Sequence, residues 1–258
     1  IANAHTLFNM INTCLFLPFV NQFVNLVVKI VPGREEVLVR GPLYLDDRML
    51  KTPAIALSLA TKEIVRMANL AHQMVLEAME AFLRRDEHKV QWVYEQEEII
   101  DQLAEQITTY LVQISQTEMT PALSKKHTSL LHSVTDIERI GDHAENIAEM
   151  AMVRIQENLP FSDQALEEIS SMSSLVSETY LQAIHSLQHD NVDEAKKTLE
   201  LEKQIDILEK ELRRNHIHRL NTGKCFPGSG VIYLDIMSNL ERIGDHSNNI
   251  SSAVLGEH

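Results

Sequence analysis

Four times in this chain a glutamate is followed four residues later by an aspartate: Glu97/Asp101, Glu138/Asp142, Glu202/Asp206 and Glu241/Asp245. The 258 residues include 37 acids, a density that yields about one such pair by composition alone. On a helix this spacing puts both carboxylates on one face, one turn apart. Like charges placed so repel by about 0.2–0.5 kcal/mol unless something lies between them. Clustered carboxylates must be protonated, paired with bases or bridged by cations. Their hard oxygens suit Mg, Ca, Mn or Fe, and the adjoining His143 or His246 could extend the set to Zn. The bland alternative is a solvated acidic stripe, or a network neutralised by Arg139 and Arg242.

The pairs are not scattered. Two of them sit inside the same hexapeptide, Glu-Arg-Ile-Gly-Asp-His, at 138–143 and again at 241–246. Extension to Asn146-Ile147 and Asn249-Ile250 gives eight identities in ten. The other two pairs lie in stretches that align at a similar offset, 95–103 with 200–208. Met67, Leu70 and Ala78 likewise match Met172, Leu175 and Ala183. Such self-similarity marks a duplicated structural unit. Gly141 and Gly244 fall mid-helix in the motif, where each costs about 1 kcal/mol relative to Ala. Their paired occurrence implies close approach of a backbone or ligand, and common descent of the two units would also copy them.

The elements that must hold these residues are helical. Periodicity of apolar residues predicts six helices near 53–84, 86–117, 120–158, 161–189, 191–222 and 229–255. Asp86, Thr120-Pro121, Ser162 and Asn191 stand where caps or first-turn residues belong. The expected fold is all-α: two tandem antiparallel three-helix bundles, residues 53–158 and 159–258, with the acidic pairs on the second and third helix of each. Those helices are neighbours in a three-helix bundle, so each unit could gather four carboxylates.

Upstream, residues 1–28 contain no Asp, Glu, Lys or Arg and are long enough to cross a bilayer. Pro18 and the amides Asn9, Asn12, Asn21, Gln22 and Asn25 are costly facing lipid, so a buried or interfacial amphipathic helix is the alternative. The expectation is a last membrane helix over 1–30, then a connector over 31–52 punctuated by Pro32-Gly33, Gly41-Pro42 and Thr52-Pro53. Lys29, Arg34 and Arg40 favour a cytoplasmic side for everything downstream. An inner-membrane location follows from that expectation, with residues 31–258 cytoplasmic. The start at Ile1 rather than Met points to a fragment or processed product.

Composition excludes several classes. Only 8 Gly, 7 Pro, 7 Phe, 5 Tyr and 1 Trp occur, too few turn and strand formers for a β-rich fold. A formal charge of −14 argues against nucleic acid, which needs a concentrated basic face. Cys14 and Cys225 lie in unlike contexts and suggest neither a disulfide framework nor a zinc knuckle. No Glu-x-x-His occurs, which disfavours the ferritin-like di-iron arrangement. Gly223-Lys224 lacks the spacing of a phosphate loop. No strained turn marks a nucleophile.

The two hexapeptides with their flanks, Asp136-Ile137-Glu138 to Asn146-Ile147 and Asn239-Leu240-Glu241 to Asn249-Ile250, resemble the PhoU family. That resemblance runs from about Pro53 to Ala253. Ala2-Asn3-Ala4-His5-Thr6-Leu7-Phe8-Asn9, Tyr44-Leu45-Asp46-Asp47 and Lys51-Thr52-Pro53-Ala54 resemble the end of the membrane region of bacterial sodium/phosphate cotransporters that carry a PhoU-like domain. The resemblance implies a cytoplasmic regulatory domain, involved in phosphate transport and homeostasis, with multinuclear metal clusters. Glu97, Asp101, Glu138 and Asp142 would form one cluster, and Glu202, Asp206, Glu241 and Asp245 the other. The implied ions are Fe, Zn, Mn or Mg. The implied partners are the membrane-embedded transporter core, the membrane through residues 1–28, a signalling protein and a second copy of the chain. The cotransporter's Gln-Ser-Ser-rich substrate repeats are missing, so transport by this chain alone is not expected. A non-enzymatic role is expected, against the rival of a metal-dependent phosphohydrolase that activates water at the carboxylates.

Overall fold

Helix ends in this chain are written into its polar residues. The computed structural model describes residues 41–256, together with Phe8 and Phe19. Six long helices account for most of them: α1 (Pro53–Arg84), α2 (Glu87–Ser115), α3 (Pro121–Gln156), α4 (Asp163–His189), α5 (Val192–Asn221) and α6 (Pro227–Leu255). The Asp86 side chain accepts from the amides of His88 and Lys89, and Asn191 does the same for Asp193 and Glu194. Thr120 and Ser162 cap α3 and α4 through Leu123 and Ala165. Each bond satisfies an amide that the first helical turn would leave orphaned. Pro occupies the first position of α1, α3 and α6, where its missing N–H costs nothing. That is why α6 starts at Pro227, two residues before the start expected from periodicity. Among the described residues there is no strand.

Two three-helix bundles result, α1–α3 and α4–α6, and within each bundle every helix packs on the other two. Buried Ala56, Ala60, Ala68, Ala71, Ala78 and Ala81 line α1. Such small side chains let helix axes approach closely, and α1 touches α2 and α3 of its own bundle and α4 of the next. The bundles join through α1 on α4 and α3 on α6, which are the equivalent helices of the two units. At those contacts residues meet their own counterparts. His72 Nε2 lies 2.8 Å from Ser177 Oγ, and the rings of His143 and His246 stack 5.6 Å apart. A residue that touches its repeat-mate lies on a two-fold relation, so the duplication reads as an internal dimer.

Residues 41–52 fold back on the first bundle rather than hanging as a linker. Glu63 is fully buried and accepts from the amides of Leu43 (2.9 Å) and Tyr44 (2.7 Å) and from Arg66 Nε (2.6 Å). Tyr110 donates its hydroxyl to the Asp46 carbonyl at 2.9 Å. A buried carboxylate with three donors is stable where a lone one would not be. At the far end of α1, Arg154 donates to the Phe82 carbonyl and lies 4.7 Å over the Phe82 ring and 4.9 Å over that of Phe161. This contact ties the α3–α4 turn to α1.

Among the described residues, no helix is long and apolar enough to cross a membrane. The candidate span over residues 1–28 lies outside the described residues, apart from Phe8 and Phe19. The inner-membrane location expected for the chain gains no support from the described residues. The six helices are amphipathic bundle helices that bury one face against each other.

Tyr180 is completely buried at the junction and donates its hydroxyl to the Ala68 carbonyl on α1 at 3.1 Å. Truncation of this side chain removes a large buried anchor between α1 and α4. Tyr180→Ala is expected to lower unfolding free energy by about 3–5 kcal/mol, and Tyr180→Phe by about 1 kcal/mol, as read by urea denaturation.

Candidate metal centre

The acidic pairs reach the same place because two helices press together at a glycine. A Cβ on Gly141 would lie 3.2 Å from Ile100 Cγ2, and one on Gly244 only 2.9 Å from Ile205 Cδ1. Ile100 and Ile205 are equivalent residues on α2 and α5. Each isoleucine packs over the bare backbone of the neighbouring helix, one residue from the aspartates on both sides of the contact. The close approach expected of the glycines is thus real, and the approaching group is a side chain of the adjacent helix. It brings Asp101 beside Asp142, and Asp206 beside Asp245.

Two acid triads follow. Glu97, Asp101 and Asp142 each offer an oxygen within 4.8 Å of the others, and so do Glu202, Asp206 and Asp245. Glu138 and Glu241 complete the predicted sets in sequence but stand outside these tight groups. Each still feels its neighbours: Asp142 and Asp101 act on Glu138, and Asp245 and Asp206 on Glu241. His143 and His246 are in neither triad. Their Nδ1 atoms bond across the bundle junction, to Asn239 Oδ1 and Asp136 Oδ1, both at 2.9 Å.

The electrostatics are those of crowded acids. Partial burial, then the charges of Asp101 and Glu145, push the Glu97 carboxyl up to about 7. Burial is likewise the leading cause that raises Asp142, Glu138, Glu202, Glu241 and Asp245, with neighbouring carboxylates adding to it. Bases only partly offset this. Arg139 Nη1 lies 3.3 Å from Asp142 Oδ2, and Lys210 Nζ 3.0 Å from Asp206 Oδ2. Both cations are largely exposed, where such pairs contribute little. The triads therefore retain an unmet demand for positive charge.

Sequence reasoning missed Glu145 and Glu149. They continue the α3 ladder by one and two turns beyond Asp142, and Glu145 is raised by burial, then by Glu149, Asp142 and Asp101. A scan for acids at spacings of three and four along α3 could have found them. Their counterparts in the second unit are Asn248 and Ser252, so comparison of the repeats hid them. The second centre has its own extra acid, Glu209 of α5, which acts on Glu241 and is held by Arg213 at 2.6 Å.

A carboxylate triad with oxygens this close fits a hard cation, since ligands of one ion at about 2.0–2.6 Å lie within twice that distance of each other. The residues present are thus chemically suited to Mg, Mn or Fe, and to Zn through carboxylate oxygens.

Comparison with known proteins fits this duplicated geometry. The PhoU domain model matches residues 64–151 and again 169–254. The chain belongs to the PhoU domain family. It is 28% identical over 201 residues to phosphate-specific transport system accessory protein PhoU homolog 1 of Thermotoga maritima, over 77% of this chain and 85% of the relative. It is 20% identical over 254 residues to the putative inorganic phosphate export protein YjbB of Escherichia coli, over 97% of this chain. This chain spans only about half, 47%, of the YjbB length. The crystal structure of PhoU from Pseudomonas aeruginosa superposes with a TM-score of 0.71 at 25% identity, over 76% of this chain and 93% of that one. PhoU homologues covered for most of their length are named as accessory proteins. With the lack of a spanning helix among the described residues, this overturns the inner-membrane placement.

Two outcomes follow from the geometry. In metal-free protein the raised acids bind protons in the folded state that they release on unfolding. Stability is then greatest below the unfolded carboxylate range and is lost as pH rises through the folded values, about 7 for Glu97. Melting in chelator is expected to shift upward as pH falls from about 8 to about 5, and the slope should shrink in Glu97→Gln. Secondly, Gly141→Val and Gly244→Val should each cost about 1–3 kcal/mol by overpacking against the facing isoleucine, with Gly244→Val the worse, in chemical denaturation.

Proposed function

We propose that this chain is a regulatory protein of phosphate transport and homeostasis whose two carboxylate triads hold divalent or trivalent metal ions. The ions are drawn from Fe, Zn, Mn and Mg. Bound at Glu97, Asp101 and Asp142, and at Glu202, Asp206 and Asp245, they would clamp α2 to α3 and α5 to α6. Glu138, Glu145 and Glu241 would complete the shells, directly or through water. Clamping fixes the acidic face that each bundle presents to a partner. Metal supplies the charge that makes this face compatible with a packed fold.

The observation that carries this reading is the coincidence of family match and chemistry. Both PhoU matches enclose one complete ladder, 97 to 142 in the first and 202 to 245 in the second. Relatives named as accessory proteins of phosphate-specific transport support the regulatory role. YjbB, named a putative phosphate exporter, aligns along nearly the whole of this chain and holds as much sequence again. That relation supports a phosphate transporter core as the partner. The likeness of the 2–9 and 44–54 segments to sodium/phosphate cotransporters makes a sodium-dependent core the specific choice. A signalling protein reading the same acidic face is compatible with this role.

The test uses the full chain stripped with chelator and reloaded with one metal at a time. Elemental analysis is expected to show ions at both triads for at least one metal. A hundredfold excess over Kd should stabilise the fold by about 2.7 kcal/mol. The combined variant Glu97→Gln, Asp101→Asn, Asp142→Asn should lose the ions of the first centre alone. Co-purification with a sodium-dependent phosphate transporter should then depend on metal. Metal-independent melting of the stripped chain would remove the clamp. Turnover of a phosphate ester with Mn or Mg, abolished by Asp142→Asn, would replace regulation with hydrolysis.

A further inference from the structure

The outward faces of α2 and α5 are equivalent surfaces of the two repeats, yet they carry opposite charge. α2 packs on α1 and α3, α5 packs on α4 and α6, and the bundles join through the other four helices. Both outer helices therefore keep a solvent face, one on each flank of the pair. On α5, Lys203, Ile207, Lys210, Arg214 and Ile217 follow one another at alternating steps of four and three, and all five are exposed. Side chains so spaced line one face of a helix. The equivalent positions on α2 are Glu98, Gln102, Glu105, Thr109 and Val112, again all exposed. Exposed Glu95 continues that strip at its start.

A polar outer face is ordinary for a bundle helix, and so are single exposed aliphatics. The reversal of charge between repeats is not. Glu98 answers to Lys203, Glu105 to Lys210 and Thr109 to Arg214. In a chain of net charge −14, the α5 strip holds three bases and no acid. Glu200 precedes it and Glu211 flanks it. Ile207 is 67% exposed and Ile217 46%, and Val112 keeps an exposed aliphatic at the place of Ile217. The fold consumes little of this charge. Among the described residues no ion pair holds Lys203 or Arg214, while Lys210 pairs with Asp206 and Arg213 with Glu209.

The direction of the helices makes the two strips complementary. Across the junction Ser177 of α4 meets His72 of α1, and Tyr180 meets Ala68. Numbers rise along α4 as they fall along α1, so these helices are antiparallel. Each outer helix is antiparallel to the first helix of its own bundle, so α2 and α5 also run in opposite directions. A second copy displaced sideways without rotation would thus bring its α2 antiparallel to α5 of the first.

We propose that the α5 strip of one copy docks on the α2 strip of a second copy of this chain. In antiparallel register Lys203 stands opposite Glu105, Lys210 opposite Glu98 and Arg214 opposite Glu95. Ile207 and Ile217 then cover the stems of Gln102 and Gln91. Because the two surfaces differ, the contact is heterologous, and each copy added leaves one strip of each kind free. Assembly continues into open chains instead of stopping at two. One helix pair is at the low end of interface size, below about 1,200 Å2, and each exposed ion pair multiplies affinity only about fivefold at most. The expected Kd is on the order of 100 µM. None of these side chains belongs to either acid triad, so the contact is tested without metal.

Sedimentation velocity of the full chain in chelator, from about 5 to about 500 µM, is run in about 20 mM and about 500 mM NaCl, where screening lengths are roughly 20 and 4 Å. The parent is expected to gain mass steadily with concentration at low salt and to return to single copies at high salt. Two double variants change exposed positions only: Lys203→Glu with Arg214→Glu, and Glu95→Lys with Glu105→Lys. Each alone should associate about tenfold more weakly than the parent, with a melting curve that stays cooperative. An equimolar mixture should regain the parent's behaviour, because the reversed α5 strip of the first fits the reversed α2 strip of the second. A parent that stays single up to about 500 µM overturns the proposal, and so does association that survives high salt or both charge reversals. A mixture no more associated than its parts, or a plateau at two copies, also overturns it.

Discussion

Mutual repulsion of carboxylates is the constraint around which this fold is arranged. Packing alone would not choose to place Glu97, Asp101 and Asp142 within 4.8 Å of each other, nor Glu202, Asp206 and Asp245. They are held there by apolar contacts one residue away, Ile100 over Gly141 and Ile205 over Gly244. Each glycine gives up about 1 kcal/mol of helix propensity and in return allows the helices to close. Burial of the isoleucines and the long hydrophobic seams of both bundles hold the acids in place, and the raised carboxyl pKa values record the strain. A cation at each triad would turn that repulsion into attraction, so the proposed metal and the fold would be physically coupled.

The internal two-fold explains why the same solution appears twice and why the copies have drifted. Contacts along the pseudo-axis pair residues with their counterparts or near counterparts: His143 with Asn239, His246 with Asp136, and the two imidazoles with each other. One half of that exchange uses an amide and the other a carboxylate. Away from the axis the units specialise further. The first centre is extended by Glu145 and Glu149 where the second has Asn248 and Ser252. The Glu63 end of the first bundle is sealed by residues 43–44, while the Glu168 end of the second is closed by Arg219 and Tyr233 and keeps a cavity.

Much of this was legible in the amino-acid sequence. Six helices and their duplication follow from apolar periodicity and from two copies of one hexapeptide. Asp86, Thr120, Ser162 and Asn191 announce their helix starts because short acceptor side chains have few other uses before an apolar run. The acid ladder is readable because spacing of four fixes a face. What pairs across space was not readable. Nothing local says that Ile100 lies on Gly141, or that His143 and His246 turn to the junction rather than to the acids. The segment after Gly41 reads as a linker, since its amides carry no side-chain signal that they will meet Glu63. Glu145 and Glu149 escaped because the repeat comparison looks for what both halves share. The membrane placement rested on residues 1–28, whose apolar composition spoke for a span while the folded helices and the PhoU accessory relatives spoke against it.

Anomalous X-ray diffraction from crystals of the full chain loaded with Mn, Fe or Zn tests the central claim most directly. The account predicts anomalous peaks at two places, one bounded by Glu97, Asp101 and Asp142 and the other by Glu202, Asp206 and Asp245. Absence of peaks at both, with those carboxylates turned separately to solvent or satisfied by Arg139 and Lys210, would contradict it and leave only the duplicated helical scaffold.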